Sequence, residues 1–218
     1  LENGRVSGVV IDKDGAEWQI GARLGVLINA GGFSRNQQML DQYIPGTSTQ
    51  WTTTAPGDTG EMITVAVRIG AAIAQMDARV GNPMALPPGE TPPKPVVVQG
   101  DMAKPHSIVV DQTGERYMRE AASYMEIGTA MLARNKVAPA IPSWLVVDSQ
   151  YIEKYMLAGN MPGAKKPKTW TETGFLRKGD TIAALAKACD IDAERLQATV
   201  LRFNTFARNW RDEDFQRG

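Results

Sequence analysis

Residues Leu24-Gly25-Val26-Leu27-Ile28-Asn29-Ala30-Gly31-Gly32 form the stretch that most restricts the fold. The first seven are nearly all apolar, which is typical of a strand buried on both faces. Gly31-Gly32 follows at once, and glycines at the carboxyl end of such a strand are where α/β folds admit a nucleotide. The sequence therefore predicts a central strand over residues 24–30. Its end at Ala30, Gly31 and Gly32 is either a nucleotide-binding turn or a plain strand-ending turn.

Local signals on both sides of this stretch predict a hairpin and a short helix. Residues 5–12 have an extended pattern that resumes around Trp18, and Lys13-Asp14-Gly15 supplies the turn between the two strands. Residues 36–44 carry apolar side chains at helical spacing, and Pro45-Gly46 ends that helix.

A second helix is predicted to open at Gly57-Asp58-Thr59-Gly60 and to close at Ala71-Ala72. Asp58 lies beside glycines at the start of this helix. Its carboxylate either caps the helix or accepts a hydrogen bond from a ribose hydroxyl or a backbone donor.

A change of composition divides the chain. Seven of the thirteen prolines lie between Pro83 and Pro105, and such a stretch cannot form a regular helix. We place a domain boundary near Asn82, which gives one domain over residues 1–82 and a second over residues 83–218.

The second domain is predicted to mix strands and helices. The expected elements are a hairpin with strands 107–110 and 115–118, a helix over 124–134, a strand over 141–148, a loop over 158–169, and helices over 182–188 and 193–209. Asp180 and Asp192 are expected to cap the last two helices. The last helix carries an apolar stripe that we assign to the core: Leu196, Val200, Phe203 and Phe206.

Composition excludes several classes of function. Twenty-four basic residues balance twenty-four acidic ones, so net charge does not attract nucleic acid. Cys189 and His106 are the only residues of their types, which excludes an intrachain disulfide and a zinc site built from such ligands. The sequence has no apolar run of the roughly 20 residues that span a bilayer. We expect a cytoplasmic protein with no transmembrane segment.

Three charged features have an ordinary structural interpretation. Residues 114–124 are dense in charged and phenolic side chains, and alone they predict a surface ion-pair network. His106 is interpreted as a satisfied loop histidine rather than a catalytic group. Lys165-Lys166-Pro167-Lys168 is interpreted as a solvated loop tip.

Taken together, these motifs resemble those of the flavoproteins that include fumarate reductase, the succinate dehydrogenase flavoprotein and the 3-ketosteroid dehydrogenases. The resemblance covers essentially the whole chain. The Ala30-Gly31-Gly32 turn is similar to the family's turn near FAD, and residues 57–71 are similar to its Gly-Asp-Gly segment, with Thr59 inserted. The resemblance implies that Ala30, Gly31, Gly32 and Asp58 contact FAD.

The second domain resembles the family's cap at a hairpin of the form G-x-R-F-x-N-E, matched by Gly114, Arg116 and Glu120. Dicarboxylate reducers carry an arginine about a dozen residues before the position of Arg116, where this chain has none. Tyr124 instead lies where 3-ketosteroid dehydrogenases carry a tyrosine. The resemblance therefore implies that Tyr124 moves the proton while FAD takes hydride from the carbon beside it. Because a phenol ordinarily has a pKa of about 10, Tyr124 must act as a phenolate or through a relay.

These observations lead us to expect an α+β fold, with a partial flavin-binding α/β portion followed by a mixed α+β cap. No Gly-x-Gly-x-x-Gly turn precedes Leu24, so we expect an internal fragment that is inactive alone. The expected substrate is a small, steroid-like apolar ketone, and we expect the fragment to dimerise through the surface that the missing part of the FAD domain leaves exposed. The alternatives are a dicarboxylate reductase that uses Lys104 and a non-catalytic interaction module.

Overall fold

The computed structural model describes residues 1, 3–91 and 94–217, so Pro92, Pro93 and Gly218 of the motifs above lie outside it. Within these residues, small antiparallel sheets mix with short helices, which confirms the α+β class. The strands are β1 (Gly8–Lys13), β2 (Ala16–Gly21), β3 (Met84–Ala85), β4 (Val96–Val97), β5 (Ser107–Val110) and β6 (Trp144–Val147). The helices are α1 (Gln37–Tyr43), α2 (Glu61–Arg68), α3 (Gln99–Met102), α4 (Tyr124–Asn135), α5 (Ser149–Lys154), α6 (Lys168–Glu172), α7 (Ile182–Cys189) and α8 (Ala193–Arg208).

The first hairpin and the first two helices are confirmed. β1 pairs with β2 from Gly8 opposite Gly21 to Lys13 opposite Ala16, around the predicted Asp14-Gly15 turn. α1 begins after Asn36, whose side chain caps it by accepting from the Met39 amide.

The predicted central strand over residues 24–30 is wrong. These residues form no strand, and Leu24 and Leu27 are 89% and 91% exposed. A strand requires a neighbour that completes its backbone hydrogen bonds, and the described residues provide none at this place. An apolar composition indicates that a segment gains free energy on burial, but it does not supply the partner strand.

The predicted hairpin over residues 107–118 is also wrong in its pairing. β5 pairs with β6, from Ser107 opposite Val147 to Val110 opposite Trp144. The turn at Asp111 does form, and the Asp111 amide donates to the Glu115 carbonyl. The chain then leaves the sheet, because the side chains of Arg116 and Glu120 enter a buried ion-pair cluster described below.

β5 lies at the centre of the second half, and its two faces pack against different helices. Ile108 and Val110 face a cluster with Ala186, Cys189 and Leu196 of α7 and α8. Val109, on the opposite face as the period of two requires, packs with Met102, Met118 and Ile127. A third cluster joins Tyr151 and Leu157 to Trp170 of α6.

Of the two residues predicted to cap the last two helices, one is confirmed. Asp192 caps α8 by accepting from the Arg195 amide, as expected. For α7 the prediction of Asp180 is wrong, because Thr181 accepts from the Ala184 amide instead. Leu196 and Phe206 of the predicted stripe are buried, which confirms its place in the core. Among the described residues, no helix has both the length and the apolar character needed to cross a membrane.

Candidate active site

The structure brings Gly31, Gly32 and Asp58 together. One carboxylate oxygen of Asp58, Oδ1, accepts from the Gly32 amide at 2.5 Å, and the other accepts from the Ser34 hydroxyl at 2.5 Å. Gly31 has a φ of +79°, and a Cβ at this position would collide with Asp58 Oδ1. Both the backbone conformation and the close carboxylate therefore require glycine at position 31.

Asp58 does not cap α2. The residue before α2 is Gly60, which has no side chain to cap with, and the Asp58 carboxylate instead organises the glycine turn. The hydrogen bond from Ser34 is the largest influence on this group and, with the Gly32 amide, lowers the pKa of Asp58. The turn therefore carries a fixed negative charge at neutral pH. Ser34, which the sequence reasoning missed, completes the motif two residues after Gly32.

The face of the turn presented to solvent is mainly backbone. Ala30 and Gly31 are exposed and Gly32 is half-buried. Arg35 follows, and its guanidinium donates to the Thr54 carbonyl at 2.7 Å, which holds the neighbouring loop in place. An open glycine backbone beside an ordered carboxylate fits a nucleotide cofactor such as FAD, because a ligand can approach the peptide groups without meeting side chains.

Residues 114–124 do not form the surface network that their charges predicted. Arg116 donates to Glu120 at 2.8 Å and to Asp212 at 2.9 Å, and the three side chains are at most 4% exposed. Arg217 adds a contact of 3.2 Å to Glu120 and donates to the Ser107 carbonyl at 2.7 Å. The cluster thus attaches the last described residues to β5. Charge density in the sequence could not show this burial, because Asp212 lies almost a hundred positions from Arg116.

Tyr124 is the first residue of α4 and is half-buried. The preceding Ser123 forms a capping box with Glu126, in which the Ser123 hydroxyl accepts from the Glu126 amide and the Glu126 side chain accepts from the Ser123 amide. Within the part of the chain that the structure describes, no protein group hydrogen-bonds the Tyr124 hydroxyl.

Two other tyrosines are held in environments that retain the proton. Burial raises the pKa of Tyr117 to about 12, despite a hydrogen bond of 2.7 Å with the Ser143 hydroxyl. Tyr151 is fully buried, donates to the Met156 carbonyl at 2.8 Å, and has a raised pKa because of that burial. Both phenols hydrogen-bond protein groups, which distinguishes them from Tyr124 among the described residues.

The remaining charged features have structural contacts. His106 Nδ1 lies 3.2 Å from Asp148 Oδ2, and the other oxygen of Asp148 caps α5. Lys166 donates to the Asn160 side chain at 2.9 Å, while Lys165 and Lys168 are exposed in the predicted loop. These contacts agree with the ordinary interpretation of both features.

The sequence profile of the FAD binding domain family, FAD_binding_2, matches residues 1–217. The chain belongs to the FAD binding domain family. This confirms the resemblance to flavoproteins and the assignment of FAD as the cofactor of the family.

Several relatives of this chain are named as dehydrogenases of oxo compounds. A 3-oxosteroid 1-dehydrogenase of Mycobacterium tuberculosis is 38% identical over 100% of this chain and 40% of its own length. A 4-oxocyclohex-2-ene-1-carboxylate 5-dehydrogenase of Sinomonas cyclohexanicum is 30% identical, over 100% of this chain and 38% of its own. The structure of the 3-ketosteroid delta1-dehydrogenase of Sterolibacterium denitrificans with 1,4-androstadiene-3,17-dione matches with a TM-score of 0.88 and 35% identity, over 100% of this chain and 39% of that one. The chain thus spans about 40% of the length of these relatives.

Proposed function

We propose that this chain is part of an FAD-dependent dehydrogenase that oxidises a carbon–carbon bond beside a ketone, in a substrate of the 3-ketosteroid type. One observation carries the proposal. Tyr124 presents a half-buried phenol at the amino end of α4, in a chain 38% identical to a 3-oxosteroid 1-dehydrogenase. A base of this kind is needed where a proton leaves the carbon next to a carbonyl.

The first domain, residues 1–82, holds the cofactor in this proposal. The backbone of Ala30, Gly31 and Gly32 would contact FAD, and Asp58 keeps the turn in the required conformation through the Gly32 amide. FAD, when bound, supplies the acceptor for a hydride and so carries the redox chemistry.

The second domain, residues 83–218, forms the cap that binds the substrate. Tyr124 Oη takes the proton from the carbon next to the carbonyl, and the electron pair of that bond forms the new double bond. The neighbouring carbon releases a hydride, so the substrate loses two electrons and two hydrogens in total.

Three further proposals concern the activity of the isolated chain, its association and its location in the cell. The 218 residues alone have little or no turnover, because they span about 40% of the relatives' length. Exposed apolar side chains around Leu24, Leu27 and α2 associate two isolated chains into a dimer. We place the protein in the cytoplasm, which agrees with its buried, free Cys189 thiol.

A chimera tests the catalytic proposal. In it, this chain replaces the corresponding segment of the M. tuberculosis 3-oxosteroid 1-dehydrogenase, and dye reduction is measured with a 3-ketosteroid and with fumarate. We expect turnover with the steroid alone, and we expect Tyr124→Phe to lower kcat at least about a hundredfold. Tyr155→Phe is the matched control, because Tyr155 is also half-buried but packs against Tyr151 at 5.5 Å. Full activity of Tyr124→Phe would contradict the role of Tyr124.

The same assay on the isolated 218-residue chain tests its proposed inactivity. Added FAD and steroid should give no dye reduction above the rate with FAD alone. Steroid-dependent turnover by this chain would overturn that part of the proposal, and sedimentation at several concentrations measures the proposed dimer.

A further inference from the structure

The chain that joins the two proposed domains crosses α4 beside Tyr124. Arg79, in the segment just before the domain boundary, donates from its guanidinium to the Gly128 carbonyl at 3.3 Å and to the Asp77 carbonyl at 3.2 Å. Two residues later, the Gly81 carbonyl lies against Gly128 itself. We define residues 77–82 as the crossing segment.

Gly128 permits this contact because it has no side chain. A Cβ built on Gly128 would lie 2.9 Å from the Gly81 carbonyl oxygen and 3.5 Å from its carbon. Both of these atoms are backbone, so an alanine methyl could be accommodated only if the crossing segment or α4 moved. Protein interiors are close-packed, so a single added methyl group here displaces the neighbouring backbone.

The contact is one helical turn from the proposed base. Tyr124 and Gly128 are four residues apart in α4 and therefore lie on the same face of the helix. The face that presents the Tyr124 phenol is thus the face that rests on the crossing segment. That segment leads back along the chain toward α2 and Asp58.

We propose that Gly128 and Arg79 are positioning residues, which fix α4 against the crossing segment and so fix the Tyr124 hydroxyl relative to the cofactor domain. This inference rests on the proposed role of Tyr124. Proton transfer is sensitive to displacements of this size, because the base must stay within hydrogen-bond reach of the carbon that loses the proton.

Gly128→Ala in the chimera tests the inference, with Gly100→Ala as the matched control. Gly100 is also a helical glycine, in α3, but a Cβ there would meet nothing within 4 Å. Alanine is the better helix former at both places, so propensity alone predicts no loss in either variant. We expect Gly128→Ala to lower kcat about tenfold, with KM changed less than about twofold, and Gly100→Ala to change neither.

A deuterium isotope effect separates positioning from damage to the fold. With deuterium on the carbon that loses the proton, a misplaced base makes that step slower, so the isotope effect on kcat should rise in Gly128→Ala. Partial unfolding would lower the active fraction and leave the isotope effect unchanged. If Gly128→Ala does not fold, Arg79→Met removes the guanidinium contact without adding bulk and should give the same two changes.

Hydrogen exchange on the isolated chain needs neither cofactor nor activity. The Ala78 amide of the crossing segment, which donates to the Gln75 carbonyl, should exchange several-fold faster in Gly128→Ala than in Gly100→Ala. Unchanged exchange, kcat and isotope effect in Gly128→Ala would overturn the inference, even while Tyr124→Phe remained inactive. Full activity of Tyr124→Phe would instead overturn the proposed function, and the positioning role with it.

Discussion

Two apolar stretches of this chain have similar composition and opposite surroundings. β5, Ser107–Val110, is buried at every residue, whereas the equally apolar residues 24–30 are largely exposed. β5 has β6 as a hydrogen-bonded neighbour, α4 on one face and α7 and α8 on the other. An apolar run therefore becomes a core strand only where the rest of the fold brings a pairing strand to its edge and helices to its faces.

Two carboxylates, one in residues 1–82 and one in residues 83–218, show the same contrast between exposed and buried surroundings. Asp58 and Asp111 each hold a tight turn that contains glycine by accepting from its amides. The Asp111 side chain is fully buried and paired with Arg134 at 2.7 Å, while the turn held by Asp58 is open to solvent at Gly31. A carboxylate that holds a glycine-containing turn therefore stabilises the fold in the second region. In our proposal, the same arrangement keeps the turn accessible to a ligand in the first region.

The largest expected effect concerns independent folding of the two regions. Residues 83–218 contain three buried apolar clusters and should unfold cooperatively in urea as an isolated piece. Residues 1–82, whose buried large apolar side chains are Leu40 and Ile44, should show no such transition alone. Circular dichroism of the two pieces makes the measurement. A cooperative transition in residues 1–82 would show that this region folds on its own, contrary to expectation.

The buried ion-pair cluster should give the next largest effect. Arg116→Met leaves Asp212 as a buried carboxylate without its ion-pair partner and leaves Glu120 with Arg217 alone, which should lower the free energy of unfolding by about 3–5 kcal/mol. Arg202→Met is the control, because Arg202 pairs with Asp214 on the exposed surface and its loss should hardly change stability. Urea unfolding of both variants makes the measurement. Equal effects would show that burial does not govern this cluster.

Acid should destabilise the second region through Asp111. Burial raises the pKa of this carboxyl, but hydrogen bonds from Thr113 and Arg134 outweigh burial and lower it overall. The unfolded chain therefore binds the proton more readily, so the stabilisation is complete above about pH 4 and is lost as the pH falls through the lower folded pKa.

Asp111→Asn should lower the free energy of unfolding by about 1–3 kcal/mol at neutral pH and reduce its acid dependence. Urea unfolding between neutral pH and about pH 3 measures both effects. Asp58→Asn is the comparison in the first region, where a smaller change in stability is expected because that turn is open to solvent. An unchanged acid dependence in Asp111→Asn would contradict the assignment.

The smallest expected effect concerns the start of α7. Thr181→Ala removes the hydroxyl that accepts from the Ala184 amide and should lower the free energy of unfolding by about 1 kcal/mol. Asp180→Ala should leave it unchanged, since the Asp180 side chain is exposed and does not cap the helix. The opposite ranking in thermal unfolding would restore Asp180 as the cap.

Many residues of the candidate site could be recognised from the sequence, but the contacts between them could not be predicted from it. The motifs at Ala30–Gly32 and residues 57–60 pointed to the FAD family, which the comparisons confirm. That Asp58 binds the Gly32 amide rather than capping α2 depends on a contact across 26 positions. The contact of Gly128 with Gly81 joins residues still farther apart along the chain, and neither residue has a side chain that could signal it.

By itself, the sequence determined the features that depend on neighbours within a few residues. These include the β1–β2 hairpin, the starts of α1 and α8, and the apolar stripe of α8, because turn geometry, capping and helical periodicity are local. Only the tertiary structure decided that β5 pairs with β6, that residues 24–30 stay unpaired, and that Arg116 meets Asp212 in the interior. Strand pairing, burial and charge compensation join residues far apart in the chain, so their free energies depend on the whole fold.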